Sequence, residues 1–146
     1  MDLADVNVLV YALRDEVDDH ARYRAWVMDM INGSARFAYS DALLASFVRV
    51  ATLPVWRPAT PIDTALRFCE LLRTRPNAVR IEPGPGAWEI FTRLCRDTPA
   101  TGNLAADAWI AALAVEHGCA VVTCDSDFAR FTGVRWRHPL EASTKG

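Results

Sequence analysis

Hydrophobic positions recur with helical spacing in several separate stretches of the chain. In HARYRAWVMDMIN (20–32), Tyr23, Trp26, Val27, Met30 and Ile31 share one face. DALLASFVRVA (41–51) repeats the pattern with Leu44, Phe47, Val48 and Ala51, and PIDTALRFCELLR (61–73) with Ile62, Ala65, Leu66, Cys69 and Leu72. The shorter AWEIFTRLC (87–95) aligns Trp88, Phe91, Leu94 and Cys95. These faces are expected to be core stripes. NLAADAWIAALAVEHG (103–118) differs, because nearly every position from Leu104 to Val115 is apolar. It predicts a helix buried nearly all round, started by Thr101, Gly102 and Asn103 and stopped by Gly118. Short β-prone runs lie between: DLADV, RFAYS, AVRIE, CAVVTCD and GVRW. Strands alternating with amphipathic helices predict an α/β domain whose sheet is mostly parallel, with about five strands flanked by helices. RPATP (57–61) and EPGPG (82–86) read as turns within one domain over 1–140, and 141–146 as a frayed tail.

Composition narrows the function. With 146 residues, 51% apolar and 23% charged, the chain is long and apolar enough to bury one core. No apolar run approaches the roughly 20 residues of a membrane span, and no basic segment precedes the first apolar stretch. The four cysteines form no CxxC pair and read as free thiols of a reducing cytoplasm. A net charge of −2 excludes a general polyanion binder. All but one of the 16 basic residues are arginines, Lys145 being the exception. Arginine suits local phosphate contacts, for which Arg14, Arg22, Arg24 and Arg49 are candidates.

In parallel sheets, ligands bind beyond the carboxyl ends of the strands, and several acids stand there. Asp5 follows the first β-prone run, Asp41 follows RFAYS, and Asp125 and Asp127 follow CAVVTC. Each has an ordinary structural explanation as a helix cap that offsets the macrodipole. Asp107 does not: it lies one turn inside the most apolar helix and needs an arginine, hydrogen-bond donors or a metal. Asp5, Asp107 and Asp125 come from three elements expected to meet at one rim, with no lysine among them. Oxygen donors in that number suit Mg²⁺ or Mn²⁺.

The same residues carry a resemblance. DVNVLVYAL looks like the opening strand and turn of PIN domains, and in particular of VapC-type toxins of type II toxin–antitoxin systems. SDALLASFVRVAT resembles the helix after their second strand. The segment from Gly102 to Trp136, with its TxDxDF turn at Thr123, Asp125 and Asp127, resembles their C-terminal signature. The likeness implies a three-layer PIN-like domain and a Mg²⁺- or Mn²⁺-dependent endoribonuclease acting on structured RNA of the tRNA or rRNA class. It also implies a VapB-like antitoxin and a homodimer. Asp5, Asp107 and Asp125 are its expected metal ligands, with Asn7 orienting ligands or water.

One position departs from the family pattern. Where those proteins carry a glutamate three residues before an arginine, this chain has Ser46 ahead of Arg49. Asp41 could supply the missing carboxylate only from the helix start, since five residues turn a helix by about 500°. The alternatives are a non-catalytic PIN-like scaffold, which Ser46 keeps open, and an aspartate-based phosphatase or receiver-like domain. The last fits poorly: a dehalogenase-type phosphatase would want an acid at Asn7, and a receiver would want a lysine at the site.

Overall fold

The computed structural model describes residues 1–141; of the tail expected over 141–146, all but Glu141 lies outside them. The chain runs β1 (Asp2–Ala4), α1 (Val6–Leu13), α2 (His20–Asn32), β2 (Phe37–Tyr39), α3 (Asp41–Ala51), α4 (Ile62–Arg73), β3 (Ala78–Arg80), α5 (Ala87–Asp97), α6 (Asn103–Glu116), β4 (Ala120–Val122) and β5 (Trp136–Arg137), with a 3₁₀ turn at Ser126–Arg130. The strands form one sheet in the order β3-β2-β1-β4-β5, every pair parallel.

Consecutive residues of the central strands are buried: Leu3 and Ala4, Phe37 through Tyr39, Val121 and Val122. Successive side chains point to opposite faces, so both faces of the sheet are covered by helices. The chain builds outward from β1 through β2 to β3, then returns to lay β4 on the other side of β1. The strand order thus reverses between β1 and β4, and the crevice beyond their carboxyl ends is where an open parallel sheet takes its ligand.

The run VNVLVYAL, rich in β-branched residues, forms α1 directly after a three-residue strand. Asp5 caps it, and burial of Val8, Leu9, Val10 and Ala12 outweighs the strand preference of valine. Helix α6 begins after Gly102 and ends before Gly118, both at positive φ (59° and 67°), as a left-handed stop requires at its C-terminus. It is less enclosed than expected, with Ala106 exposed and Asp107, Trp109 and Ile110 only part-buried.

Two stripes also differ from expectation. On α4, Ala65, Cys69 and Leu72 are buried, but Ile62 and Leu66 stay 53% and 47% exposed. On α5, Trp88 is 66% exposed and stacks along the surface against Phe91 and Trp109. In both helices the apolar stripe is wider than the strip that neighbouring elements cover. The four cysteines are free, Cys69 and Cys119 being buried and Cys95 and Cys124 partly so. No helix among the described residues is long and apolar enough to cross a membrane.

Candidate active site

β1 ends at Ala4 and the Asp5 amide donates to the Val122 carbonyl at 2.9 Å, holding the start of α1 against the end of β4. Asp5 is buried and serves as the N-cap of α1, its Oδ1 accepting from the Val6 amide at 2.7 Å. Its Oδ2 accepts from the Thr123 hydroxyl at 2.8 Å. The capping explanation is therefore true of Asp5, but it uses only part of the carboxylate.

Thr123 is the hub of this network. Fully buried, it gives its one proton to Asp5, while its Oγ1 accepts from Asn7 Nδ2 at 3.2 Å and from the Asp125 amide at 3.0 Å. Asn7 also accepts the Cys124 amide at 3.2 Å through Oδ1. Hydrogen bonding thus fastens the start of α1 to the loop after β4 through neutral groups. Asp125 caps the 3₁₀ turn by accepting the Asp127 amide at 2.9 Å, and Asp127 is exposed in that turn.

Asp5, Asp107 and Asp125 line one cavity of about 320 Å³, together with Val6, Asn7, Val10, Tyr11, Val50 and Trp56. Among the described residues no lysine, arginine or histidine lines it. A larger cavity of about 500 Å³ lies at the amino ends of β2 and β3, between Ile31 and Asn77, and contains no acid.

The electrostatics follow from that lining. Burial pushes the Asp107 carboxyl up to about 7, and the negative charges of Asp5, Asp125 and Asp127 push in the same direction. Burial also raises Asp5; the hydrogen bonds from Thr123 and Val6 oppose the rise, and the charge of Asp125 adds to it. A rim that raises its own carboxyl groups is a rim short of positive charge.

The donors are oxygens, the choice of a hard divalent cation. Among the described residues no three carboxylate, imidazole or thiol groups are drawn together tightly enough to make a ready-built cage. A Mg²⁺-type ion needs no such cage, since it keeps several waters and is commonly held by one or two carboxylates. The acid set fits such an ion in donor type and in its uncompensated charge.

Other residues singled out in the sequence lie elsewhere. Asp41 pairs with Arg73 (Nε to Oδ1, 3.0 Å) and Arg80 (Nε to Oδ2, 3.1 Å), and does not line the acid cavity. Ser46 faces an apolar groove between α3 and α6 that includes Val6, Leu43, Trp109 and Ile110. Arg49 is exposed in the last turn of α3. Arg14 corrects an expectation: at 9% exposure it is buried, held by Thr60 and Glu16, and offers no surface to a phosphate. Arg22 is exposed beside Asp19 at 3.6 Å, and Arg24 is exposed.

Sequence reasoning missed Tyr11, Val50 and Trp56 as cavity walls. Asn7, Val10 and Tyr11 are spaced i, i+3, i+4 along α1, a signal available once that run is known to be helical. Trp56 gave none, because it sits in the irregular segment between α3 and α4.

The PIN domain family model matches residues 3–134. This chain belongs to the PIN-domain family. It is 40% identical over 142 residues to the VapC ribonuclease Mb2897 of Mycobacterium bovis, covering 96% of each chain. It is 36% identical over 140 residues to ribonuclease VapC25 of Mycobacterium tuberculosis, covering 95% of this chain and 99% of that one. The fold resembles that of VapBC-1 from nontypeable Haemophilus influenzae, with TM-score 0.68, 19% identity and coverage of 96% and 98%. VapBC2 from Rickettsia felis, bound to a DNA fragment from its promoter, gives TM-score 0.67 at 17% identity, covering 94% and 97%.

Proposed function

We propose that this PIN domain is an endoribonuclease of the VapC type, the toxin of a toxin–antitoxin pair. In this proposal it is neutralised in the cytoplasm by a VapB-like antitoxin and cleaves structured RNA of the tRNA or rRNA class. The observation that carries the chemistry is the convergence of Asp5, Asp107 and Asp125 on one cavity that no cationic side chain lines among the described residues. The ribonuclease names of its mycobacterial relatives support RNA as the substrate, and the VapBC complexes of the same fold support the partner.

Asp5, Asp107 and Asp125 would hold Mg²⁺ or Mn²⁺, directly or through waters. Bound there, the ion would supply a polarised phosphoryl oxygen and a water acidified enough to attack at neutral pH. The chain's own contribution is orientation. Thr123 and the Val6 amide each take one lone pair of Asp5, fixing the carboxylate plane while leaving lone pairs free. Asn7 and Thr123 hold the backbone that presents Asp125.

Purified chain incubated with total tRNA and rRNA should cleave in Mg²⁺ or Mn²⁺ and stop when the ion is chelated. Asp5→Asn, folded but inactive, should also relieve growth arrest on expression without a partner. Persistent toxicity of folded Asp5→Asn would favour the non-catalytic scaffold instead, the alternative that the lack of an acid at Ser46 keeps open.

A further inference from the structure

The acid cavity has a wall that the acid motif does not supply. Between α3 and α4 the chain leaves regular structure, and there Trp56 lines the same cavity as Asp5, Asp107 and Asp125. The ring is fixed in place. Its Nε1–H donates to the Val50 carbonyl at 3.0 Å, and the Arg14 guanidinium lies 5.2 Å from its centroid. Arg14 is itself anchored, donating to Thr60 Oγ1 at 3.0 Å and to Glu16 Oε1 at 2.9 Å. From α1, Val10 and Tyr11 join the lining, and Tyr11 is braced against Tyr23 with ring centroids 5.3 Å apart.

A core tryptophan would explain the packing but not the setting. Trp56 is only part-buried, and its neighbours Val55, 74% exposed, and Arg57 face solvent. A buried arginine spent on orienting an aromatic ring beside three acids makes a rigid platform. A strand whose phosphodiester sits at the acids must place an adjoining base close by, and an aromatic face binds any base through its π-surface. Arg49 and Arg57 flank the ring in sequence, exposed and without an ion-pair partner among the described residues. As exposed cations they are available for phosphate contacts that the net charge of −2 does not provide globally.

We propose that Trp56 is a positioning residue that stacks an unpaired RNA base beside the phosphodiester held at Asp5, Asp107 and Asp125. The proposal rests on the ribonuclease function above, so binding and cleavage are measured separately. Binding of a labelled oligoadenylate of about ten nucleotides is compared in Asp5→Asn protein with and without Trp56→Ala or Trp56→Phe. One lost stacking contact should weaken binding roughly 5- to 150-fold in Trp56→Ala. Trp56→Phe should restore affinity to within about threefold of the parent, and quenching of tryptophan fluorescence by the RNA should shrink in it. An abasic strand of the same length should bind the parent and Trp56→Ala alike. In the otherwise wild-type enzyme, Trp56→Ala should raise KM more than it lowers kcat.

Equal oligoadenylate binding by the parent and Trp56→Ala would overturn the proposal. So would an equal loss for the abasic strand, which would mark a collapsed segment, or a loss confined to antitoxin binding, which would mark a protein-docking residue. Stacking without any metal-dependent cleavage by the wild type would sink the ribonuclease function and leave the platform. Cleavage indifferent to Trp56 would do the reverse.

Discussion

Asp5 and Asp41 both stand where a strand of the sheet gives way to the next helix, Asp5 as the N-cap of α1 and Asp41 as the first residue of α3 after its cap Ser40. Their surroundings are opposite. Asp41 meets two guanidinium groups: Arg73 donates to both of its oxygens and Arg80 shares Oδ2. Asp5 meets an amide, a hydroxyl and two further acids, with no cation in the lining among the described residues. The reason lies in strand order: β1 adjoins β4, whose trailing loop brings Thr123 and Asp125, whereas β2 adjoins β3, whose last residue is Arg80. An acid at a helix start is therefore no site in itself. It becomes one where the neighbouring strand supplies hydrogen bonds and more negative charge instead of a counter-ion.

The sharpest test of this contrast is a matched pair of substitutions. Asp5→Asn should take RNA cleavage to background, whereas Asp41→Asn should leave cleavage within about threefold, because its charge is already neutralised. A matching loss in Asp41→Asn would erase the distinction and return Asp41 to the role of substitute for the glutamate absent at Ser46.

A smaller effect tests the hub. Thr123→Val keeps the shape but removes the proton given to Asp5 and the acceptor offered to Asn7 and Asp125. Partners that orient ligands typically contribute 10–100-fold, so a loss of about that size in cleavage or Mn²⁺ affinity is expected. Cleavage kinetics alongside Mn²⁺ titration would show it; unchanged values would mean that the acids orient themselves.

The uncompensated rim should also cost stability in a pH-dependent way. Asp107 titrates at about 7 in the folded chain against an ordinary value of 3.8. Between those values the folded state binds more protons, so stability falls as pH rises through that window and the penalty is complete above it. Asp107→Asn should stabilise the metal-free protein by roughly 1–2 kcal/mol near pH 8, after discounting for solvent screening, with the gain shrinking towards pH 5. Denaturant midpoints at the two pH values measure it. Added Mn²⁺ should stabilise the wild type more than the variant, and an equal response would remove Asp107 from the ion's ligands.

The smallest effect belongs to the Asp41 cluster. Asp41→Asn should lower Tm slightly in dilute buffer and by nothing measurable in about 1 M salt, where the Debye length is roughly 3 Å. Ser40 caps α3, so the cap survives the substitution, and the loss is that of the ion pairs and of the negative charge in the first helical turn.

Much of this molecule was legible before its fold was known. The alternation of helices and strands followed from periodicity, because a stripe of side chains has to be covered by something. Asp107 stood out because a carboxylate inside an apolar helix always demands an explanation. The misses share a cause too. Valine-rich VNVLVYAL forms a helix because Asp5 caps it and the core takes its inner face. Ile62, Leu66 and Trp88 stay exposed because periodicity finds a face without telling how much of it a neighbour covers. Arg14 looked like a surface cation until Thr60, Glu16 and Trp56 enclosed it.

By itself the sequence determined the parallel α/β class, the placing of acids at strand ends, and the motif spacing shared with PIN domains. These are local or periodic properties, set by neighbours along the chain. Only the tertiary structure decided which acids are paired and which are left without a counter-ion, and that Trp56 stands beside the latter. Charge and stacking act over a few ångströms in space, and Asp5 lies 118 residues from Thr123 along the chain but 2.8 Å from it across the fold.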